Sequence, residues 1–394
     1  MVGQSWQAVP PHEGVKMRTF IYLSIFFGLI LVPYRVFAAV SGPCSNCHTM
    51  HYSQDGQPLG TDGPHQHLLI EKQGGHHSSA CVTCHSSQTS STYEDLGGCK
   101  VPIVFYYGSS EPTEYLAGGN FWWVKEGLGA DDTKGHNVFY NEGDDNLSAA
   151  PGDLGFSNCG NNGCHANLHL PASGTGFDEL NGKYGCQGCH LNVKHHAKDH
   201  ANGESGLVTS ADQGWYRFLS GHMSGSGAGV EGYEHGEWEA GLHDGGNHQG
   251  ASDHNEYLGV PDTDGGYGFG GLGHTTTAFC TGCHGLFHDE QVSTSGEWIR
   301  HPSDAVIPNS GEYQYVGGDS HLYDPLSPVG KQDISDATPD TTVSAGSDVV
   351  MCLSCHRLHG SPNSDLLRWD YSAMVAGGGG SDTGCFYCHT QKND

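Results

Sequence analysis

Long apolar stretches are scarce in this sequence. Hydrophobic residues make up 36% of its 394 residues, and 61 residues are glycine. The length would suit two ordinary domains, but this composition supplies too little aliphatic surface for their conventional cores. The longest apolar run, from Phe20 to Val32, is shorter than the ~20 residues that a membrane-spanning helix requires. We therefore expect neither a transmembrane anchor in the mature chain nor a core made mainly of aliphatic side chains.

Basic residues and methionines are also few. Lysine and arginine total 16 against 44 aspartates and glutamates, which leaves a formal net charge of −28. A field of that sign repels the phosphate backbone and argues against a nucleic-acid partner, while basic partners and metal cations remain compatible with it. Because only six methionines occur, methionine cannot be the common axial ligand of a large set of metal centres.

Cysteine is abundant and regularly patterned. Fourteen of the fifteen cysteines form pairs, and each pair is followed directly by a histidine. In six pairs two residues separate the cysteines, which is the pattern for covalent attachment of c-type haem. The two thiols become thioethers to the porphyrin, and the histidine ligates its iron. Zinc sites and disulfides also use paired cysteines, but neither requires a histidine at that position.

The seventh pair, Cys159 and Cys164, has a four-residue spacer. We interpret it as a seventh haem site, because Gly160 and Gly163 let the longer loop bulge; a disulfide or two free thiols are the alternatives. The predicted attachment cysteines are Cys44, Cys47, Cys81, Cys84, Cys159, Cys164, Cys186, Cys189, Cys280, Cys283, Cys352, Cys355, Cys385 and Cys388. The predicted proximal iron ligands are His48, His85, His165, His190, His284, His356 and His389. Cys99 is left over, either as a buried inert thiol or as one that pairs between chains.

Seven covalently bound c-type haems would replace the missing core. If each covers about 400 Å² of apolar surface, its burial contributes roughly 10 kcal/mol at ~25 cal/mol/Å². Glycine suits a backbone that must pass close to flat rings. The fold class that we predict is mostly irregular coil with short helices and few strands, templated by a chain of stacked haems. Val101–Tyr107 is an apolar segment that favours a strand.

The sixth ligand of each iron decides what such haems do. Of 28 histidines, seven belong to the motifs, so we predict bis-histidine iron, which is closed to substrates and suits electron transfer more than catalysis. Several candidates follow a motif histidine closely, and on a helical turn such a residue would reach a neighbouring haem rather than its own. Any single candidate has the alternative of being an ordinary surface residue. The candidate distal ligands are His51, His136, His169, His196, His222, His288, His301, His321 and His359, with His195 beside His196.

The first 38 residues predict a secretory signal peptide. Lys16 and Arg18 precede the apolar run, and small residues near Ala38 offer a cleavage site. We interpret Met17 as the translation start. Export agrees with haem attachment, which in bacteria occurs outside the cytoplasm, and it predicts a protein that is extracellular or on the outer cell surface.

The remaining chain divides by its motifs. We predict an N-terminal dihaem segment, a central CxxxxCH/CxxCH dihaem segment, an insertion rich in glycine, histidine and acid, and a C-terminal trihaem segment. The insertion and the spacer 304–350 are expected to be irregular surface loops. The four segments span residues 39–150, 151–222, 223–273 and 274–394.

Six segments carry a resemblance to a known family. They are CHTMH at 47–51, GGNFWWVK at 118–125, KGHNV at 134–138, CTGCHGLFH at 280–288, CLSCHRLHG at 352–360 and CFYCHTQKND at 385–394. In this order they resemble the extracellular multihaem c-type cytochrome filaments, or cytochrome nanowires. The central CxxxxCH/CxxCH segment resembles other multihaem cytochromes of metal-reducing bacteria. It brings the number of sites to seven, where the filament-forming member that these segments resemble has six.

The resemblance implies a polymer whose subunits join end to end with a continuous stack of haems. It also implies that His51 ligates the iron held by Cys352 and Cys355 of an adjacent subunit, opposite His356. We therefore expect a secreted, non-enzymatic conduit that carries electrons to extracellular acceptors or other cytochromes. One alternative is a non-polymerising electron carrier. The other is an enzyme, a multihaem reductase of small oxyanions. A reductase needs one haem with an open face, and all seven motifs here end in histidine.

Overall fold

The computed structural model describes the greater part of the chain beyond its first 39 residues. The described residues belong to a single unit, Phe37–Asp394. They are 40, 42–48, 53–55, 57–58, 81–125, 132–139, 150–152, 168, 185–191, 193–198, 204–220, 229–242, 248–261, 273–285, 287, 301–313, 320–335, 338–378 and 383–392. The predicted signal peptide, Cys159, Cys164, His165 and the candidate ligands His51, His169, His222 and His288 lie outside these residues.

Helices in the described part are single turns, and four of the five α-helices include cysteines of a CxxCH motif. The amide of the motif histidine donates to the carbonyl of the first cysteine at 2.8–3.1 Å in five motifs, among them His48 to Cys44 and His356 to Cys352. One such turn brings residues i, i+3 and i+4 to the same side, so both sulfurs and the imidazole face one ring. The α-helices are α1 Cys81–His85, α2 Trp122–Lys125, α3 Cys186–Cys189, α4 Thr276–Cys280 and α5 Cys352–Cys355. The 3-10 helices are Cys44–Asn46, Asp132–Lys134, Ala211–Gln213, Tyr216–Phe218, Gly311–Tyr313, Ser364–Leu366, Tyr371–Ala373, Gly384–Tyr387 and Thr390–Lys392.

The expected helical continuation beyond the motif histidine is wrong for α5. His356 is already extended, with φ −115° and ψ 149°, and forms an antiparallel bridge with Leu367. The amide of Arg357 donates to the carbonyl of Leu366 at 2.8 Å. A backbone partner on a distant segment therefore replaces the next helical turn. Within the described residues, no helix has the length and apolar composition needed to cross a bilayer.

Strands in the described part are two or three residues long. Six of them form one sheet in the order β10-β14-β12-β9-β8-β7, which is antiparallel except between β12 and β9. The pairs β1–β2, β4–β5 and β11–β13 are antiparallel and β3–β6 is parallel. The strands are β1 Ser53–Gln54, β2 Gln57–Pro58, β3 Ser86–Ser87, β4 Tyr93–Asp95, β5 Lys100–Pro102, β6 Phe105–Tyr106, β7 Gly206–Val208, β8 Gly232–Glu234, β9 Glu256–Leu258, β10 Ala305–Val306, β11 Ser320–Leu322, β12 Gly330–Lys331, β13 Thr342–Ser344 and β14 Val349–Val350.

Short helices, short strands and abundant coil confirm the predicted fold class of mostly irregular coil, while its haem core stays a prediction. Three local expectations need correction or adjustment. The insertion 223–273 is not wholly a surface loop, because β8 and β9 lie inside the six-stranded sheet. The spacer 304–350 likewise supplies strands β10 to β14. The single strand expected over Val101–Tyr107 is replaced by two short strands, the end of β5 and the whole of β6.

Polar residues are buried in this sheet because they are paired. The Lys331 ammonium lies 2.6 Å from the Asp348 carboxylate, and both side chains are buried. The Arg217 guanidinium donates to the Asn255 side chain at 2.7 Å. A buried charge survives only with such a partner. The pairing explains how a segment rich in acid and glycine enters an interior.

Apolar burial is divided among several small clusters. One packs Val208, Tyr216, Leu219, Val230, Tyr257, Phe279 and Met351 together with Cys189. A second packs Val82, Phe105, Phe121, Val124, Val138 and Phe139 together with Cys186. Each cluster therefore lies against a cysteine of a predicted attachment motif. The aromatic pair Trp122 and Trp123 meets edge to face at 4.8 Å, and the Trp122 indole donates to the Gly108 carbonyl at 2.8 Å.

Candidate metal centres

Five motif histidines each face a second histidine from elsewhere in the chain. The ring centroids are separated by 6.1–6.4 Å in all five pairs. The pairs are His48 with His196, His85 with His195, His190 with His359, His284 with His136, and His389 with His301. Four of the second histidines are candidates selected from the sequence. The fifth, His195, was noted there only as the neighbour of His196.

This spacing fits one metal ion between two imidazoles. A metal–nitrogen bond of about 2.0–2.1 Å on each side, plus the ring radius, places the centroids about 6.2–6.4 Å apart. The angle between the ring planes varies from 21° to 77° while the separation changes little. A shared axial atom has that effect, because it determines the distance and leaves rotation about the axis free. The donor set therefore fits a haem iron.

Hydrogen bonds donated by Nδ1 hold most of these rings in the tautomer that can ligate a metal. The carbonyl of Pro102 accepts from His85 at 2.8 Å, that of Arg217 from His190 at 3.1 Å, and that of Pro151 from His284 at 2.7 Å. On the distal side, the Leu358 carbonyl accepts from His136 and the Pro302 carbonyl from His301, both at 2.9 Å. With the proton on Nδ1, the Nε2 lone pair is left to bind a metal.

Burial favours the neutral form of several of these imidazoles. It lowers the pKa of His190, His136 and His195 to about 4, with smaller contributions from neighbouring histidines. The same two causes lower the pKa of His359 to about 3. Its Nδ1 is buried without a hydrogen-bond partner among the described residues. Only a neutral imidazole has a lone pair to donate, so the desolvated interior favours the ligating form.

A glycine clamp positions two of the distal histidines. We define it as residues 118–120, 134–136 and 358–361. The amide of His359 donates to the Gly118 carbonyl at 2.9 Å, and that of Asn120 to the Gly360 carbonyl at 3.0 Å. A Cβ added to Gly119, where φ is +86°, would lie 1.9 Å from the Gly360 oxygen. Only glycine permits this approach. Segments that are far apart in the sequence thus bring His136 and His359 to their partners.

Thiols of neighbouring motifs lie against each other. None of the described cysteines forms a disulfide, and their sulfurs stand in for the thioether sulfurs of an attached haem. A contact with the Cys352 thiol, together with burial, raises the pKa of Cys280. Burial raises the pKa of Cys355 and Cys388 to about 12. Electrostatic interactions between the two motifs, of Cys385 with Cys355 and of Cys355 with Cys388, contribute to the same rise in these pKa values. Groups attached through these motifs would be adjacent.

Two predicted site residues lie in other surroundings. The ring of His321, on β11, meets Tyr387 edge to face at 5.0 Å. His356 donates from Nδ1 to the Asp365 carbonyl at 2.7 Å, but among the described residues no second imidazole lies at the metal spacing from it. Within the same residues there is no group of three or more protein ligands around one point. A haem iron does not require one, because the porphyrin supplies the other four nitrogens.

Comparisons with known proteins agree with this picture. A family model for the doubled CXXCH motif matches residues 343–394. The chain is 26% identical over 380 residues to the C-type cytochrome OmcS of Geobacter sulfurreducens, covering 83% of this chain and 78% of that protein. A solved outer membrane cytochrome S filament from the same organism is 20% identical, with 85% of each chain covered and a TM-score of 0.43. A structure of OmcS nanowires is 18% identical, with 86% of each covered and a TM-score of 0.45. The predicted resemblance to an OmcS-like multihaem cytochrome is confirmed.

Proposed function

We propose that this chain is a secreted c-type cytochrome with seven covalently attached haems that carries electrons to acceptors outside the cell. The observation that carries the proposal is the set of five imidazole pairs at the spacing of a metal ion. Each pair contains a motif histidine and a histidine from outside that motif. When bound, haem iron supplies reversible one-electron oxidation and reduction. With both axial positions filled by histidine, no position is left for a substrate, so we assign electron transfer and no enzymatic activity.

The residues of the chain hold neighbouring sites close together. His195 and His196 are consecutive and serve the sites of His85 and His48. Cys189 lies close enough to Cys280 to affect its pKa. The contacts between Cys280 and Cys352, and between the motifs of Cys355 and Cys388, extend the series. Electrons would thus pass between adjacent sites along this series.

The mass of the exported protein tests this assignment. We expect the mature polypeptide plus seven haem groups, including one on Cys159 and Cys164. A mass without any added porphyrin would refute the proposal. A mass with six groups, with the unmodified cysteines located at Cys159 and Cys164 by peptide mapping, would limit the correction to the CxxxxCH site. Uptake of carbon monoxide by the reduced protein should be negligible, because an iron with two histidine ligands has no free position.

We further propose that the chain polymerises end to end. His356 has its Nδ1 partner in place, and no distal imidazole accompanies it among the described residues. The resemblance assigns His51 of a neighbouring subunit to this position. The relatives include OmcS, which has been solved as a filament, and this supports the same assembly here. The signal peptide and extracellular location belong to the same proposal.

Replacing His51 tests polymerisation. In the His51→Ala variant, secreted filaments should be absent from electron micrographs, and the monomer should bind one carbon monoxide when reduced. The control is His274→Ala, which removes an imidazole whose two nitrogens face the Gly229 carbonyl and the Glu231 carboxylate. Normal filaments in His51→Ala would refute the role of His51 in assembly. Absence of filaments from the wild-type secreted protein would refute polymerisation and leave a non-polymerising carrier of the same chemistry.

A further inference from the structure

One proximal imidazole has a different kind of hydrogen-bond partner from the others. His85, His190, His284 and His356 each donate from Nδ1 to a backbone carbonyl. His389 instead donates to the carboxylate of Glu312, at 2.7 Å from Oε1. Among the motif histidines whose Nδ1 partner is described, it alone has a charged acceptor. The distal ring on its other side, His301, has a backbone carbonyl as its partner.

Several contacts hold this carboxylate in place. Its second oxygen, Oε2, lies 2.9 Å from the Lys392 ammonium. The backbone carbonyl of Glu312 accepts from the Thr390 hydroxyl at 3.2 Å. The ring of Tyr313 lies 4.9 Å from the His389 ring. The turns Gly311–Tyr313 and Thr390–Lys392 are thus joined on both sides of the ligand, and the carboxylate is directed at Nδ1 by more than one bond.

A charged acceptor changes the ligand that the iron receives. Hydrogen bonds to a carboxylate are about twice as strong as those to a neutral carbonyl. They draw the Nδ1 proton away from the ring, which makes Nε2 more basic. A more basic ligand stabilises Fe(III) over Fe(II) and lowers the reduction potential. Lys392 opposes this effect, but its ammonium lies on the outer oxygen, while the inner oxygen faces the imidazole.

We propose that Glu312 is a positioning residue that lowers the reduction potential of the haem attached through Cys385 and Cys388. This inference rests on the haem attachment proposed above. This haem would be reduced less readily than it would be if His389 donated to a backbone carbonyl.

Redox titration of the holoprotein tests the inference. Glu312→Gln keeps the shape of the side chain and an oxygen acceptor but removes the charge. We expect the difference between the variant and wild-type titration curves to correspond to one electron per chain, moved to higher potential. A tenfold change in the Fe(III)/Fe(II) equilibrium would appear as a shift of ~59 mV. Glu312→Asp, which keeps the charge, should restore part of the wild-type curve.

Two control variants separate the hydrogen bond from other causes. Lys392→Gln leaves the carboxylate on His389 unopposed and should move the same electron to lower potential. Asp365→Asn removes an exposed carboxylate beside His356, whose Nδ1 bonds the backbone carbonyl of residue 365, and should shift the curve far less than Glu312→Gln. If Glu312→Gln yields no holoprotein, the direction found for Lys392→Gln decides the question.

The outcomes distinguish this inference from the function on which it rests. Absence of porphyrin from the C-terminal motif would refute the proposed function and the inference together. With seven haems attached, an unchanged curve for Glu312→Gln would overturn the inference alone. Shifts of the same sign in Glu312→Gln and Lys392→Gln would also overturn it, because they would point to loosened packing instead of ligand basicity.

Discussion

Replacing His195 or His196 should each open one iron, and a different one. The His195 ring faces His85 at 6.1 Å, and the His196 ring faces His48 at 6.3 Å. Each imidazole belongs to one pair, so each loss leaves one vacant axial position per chain. Among the described residues, the other aromatic contact of the His195 ring is with Phe218 at 5.6 Å, and phenyl carbon cannot ligate iron. We therefore expect His195→Ala and His196→Ala each to leave one haem in seven open.

Carbon monoxide binding to the reduced protein measures these vacancies directly. The expected stoichiometry is one molecule per chain in each single variant and two in the double variant, with total haem unchanged in a pyridine haemochrome assay. His274→Ala, in which the lost ring nitrogens face the Gly229 carbonyl and the Glu231 carboxylate, should bind none. The reasoning fails if either single variant binds none, or if the double variant binds only one. The second result would mean that both histidines serve the same iron.

Three further predictions follow from the fold. Gly119→Ala would place Cβ 1.9 Å from the Gly360 oxygen, so it should disrupt the glycine clamp and open two irons to carbon monoxide. Gly241→Ala, with a similar φ of +82° but nothing within 4 Å, should cost only ~1–2 kcal/mol and open none. Burial raises the pKa of Glu256 to about 7, so its contribution to stability is greatest below its unfolded pKa near 4.5 and is lost as pH rises through 7. The free energy of unfolding measured in urea should therefore be higher for Glu256→Gln than for the wild type by on the order of 2 kcal/mol at pH 8, after allowance for solvent screening. At pH 4 the two values should be equal. A chain expressed without haem attachment should give a circular dichroism spectrum of an unfolded protein, and a native-like spectrum would contradict the proposed haem-templated core.

The attachment turns could be predicted from the sequence because their physics is local. A single helical turn directs two sulfurs and an imidazole to one side, and the spacing of CxxCH records this. The distal partners depend instead on long-range folding. His359 reaches His190 only because the glycine clamp holds its backbone, and nothing near residue 359 indicates which motif it serves. His195 and His196 face different partners because the backbone turns between them, which composition does not reveal.

The sheet was missed for a related reason. Strands of two or three residues are too short to show the alternation of apolar and polar residues that identifies a strand. The segment 223–273 reads as loop because it is rich in acid and glycine, yet Glu234 and Glu256 are buried in paired strands. The Glu234 carboxylate is accommodated by the Arg217 guanidinium, 3.4 Å away, and the Glu256 carboxyl accepts from the Asp340 amide. Those partners lie elsewhere in the sequence and become visible only in the folded chain.

The adjacency of His195 and His196 has a mechanical consequence. One peptide bond ties together the two imidazoles that face the first and second motifs, so the gap between those two centres is limited by covalent geometry. Thermal breathing, crowding or shear could separate other neighbours in the series by loosening noncovalent packing. Between these two sites, a histidine would have to leave its iron before the two haems could move apart. Electron transfer across this pair should therefore be the last to fail in the proposed series of haems.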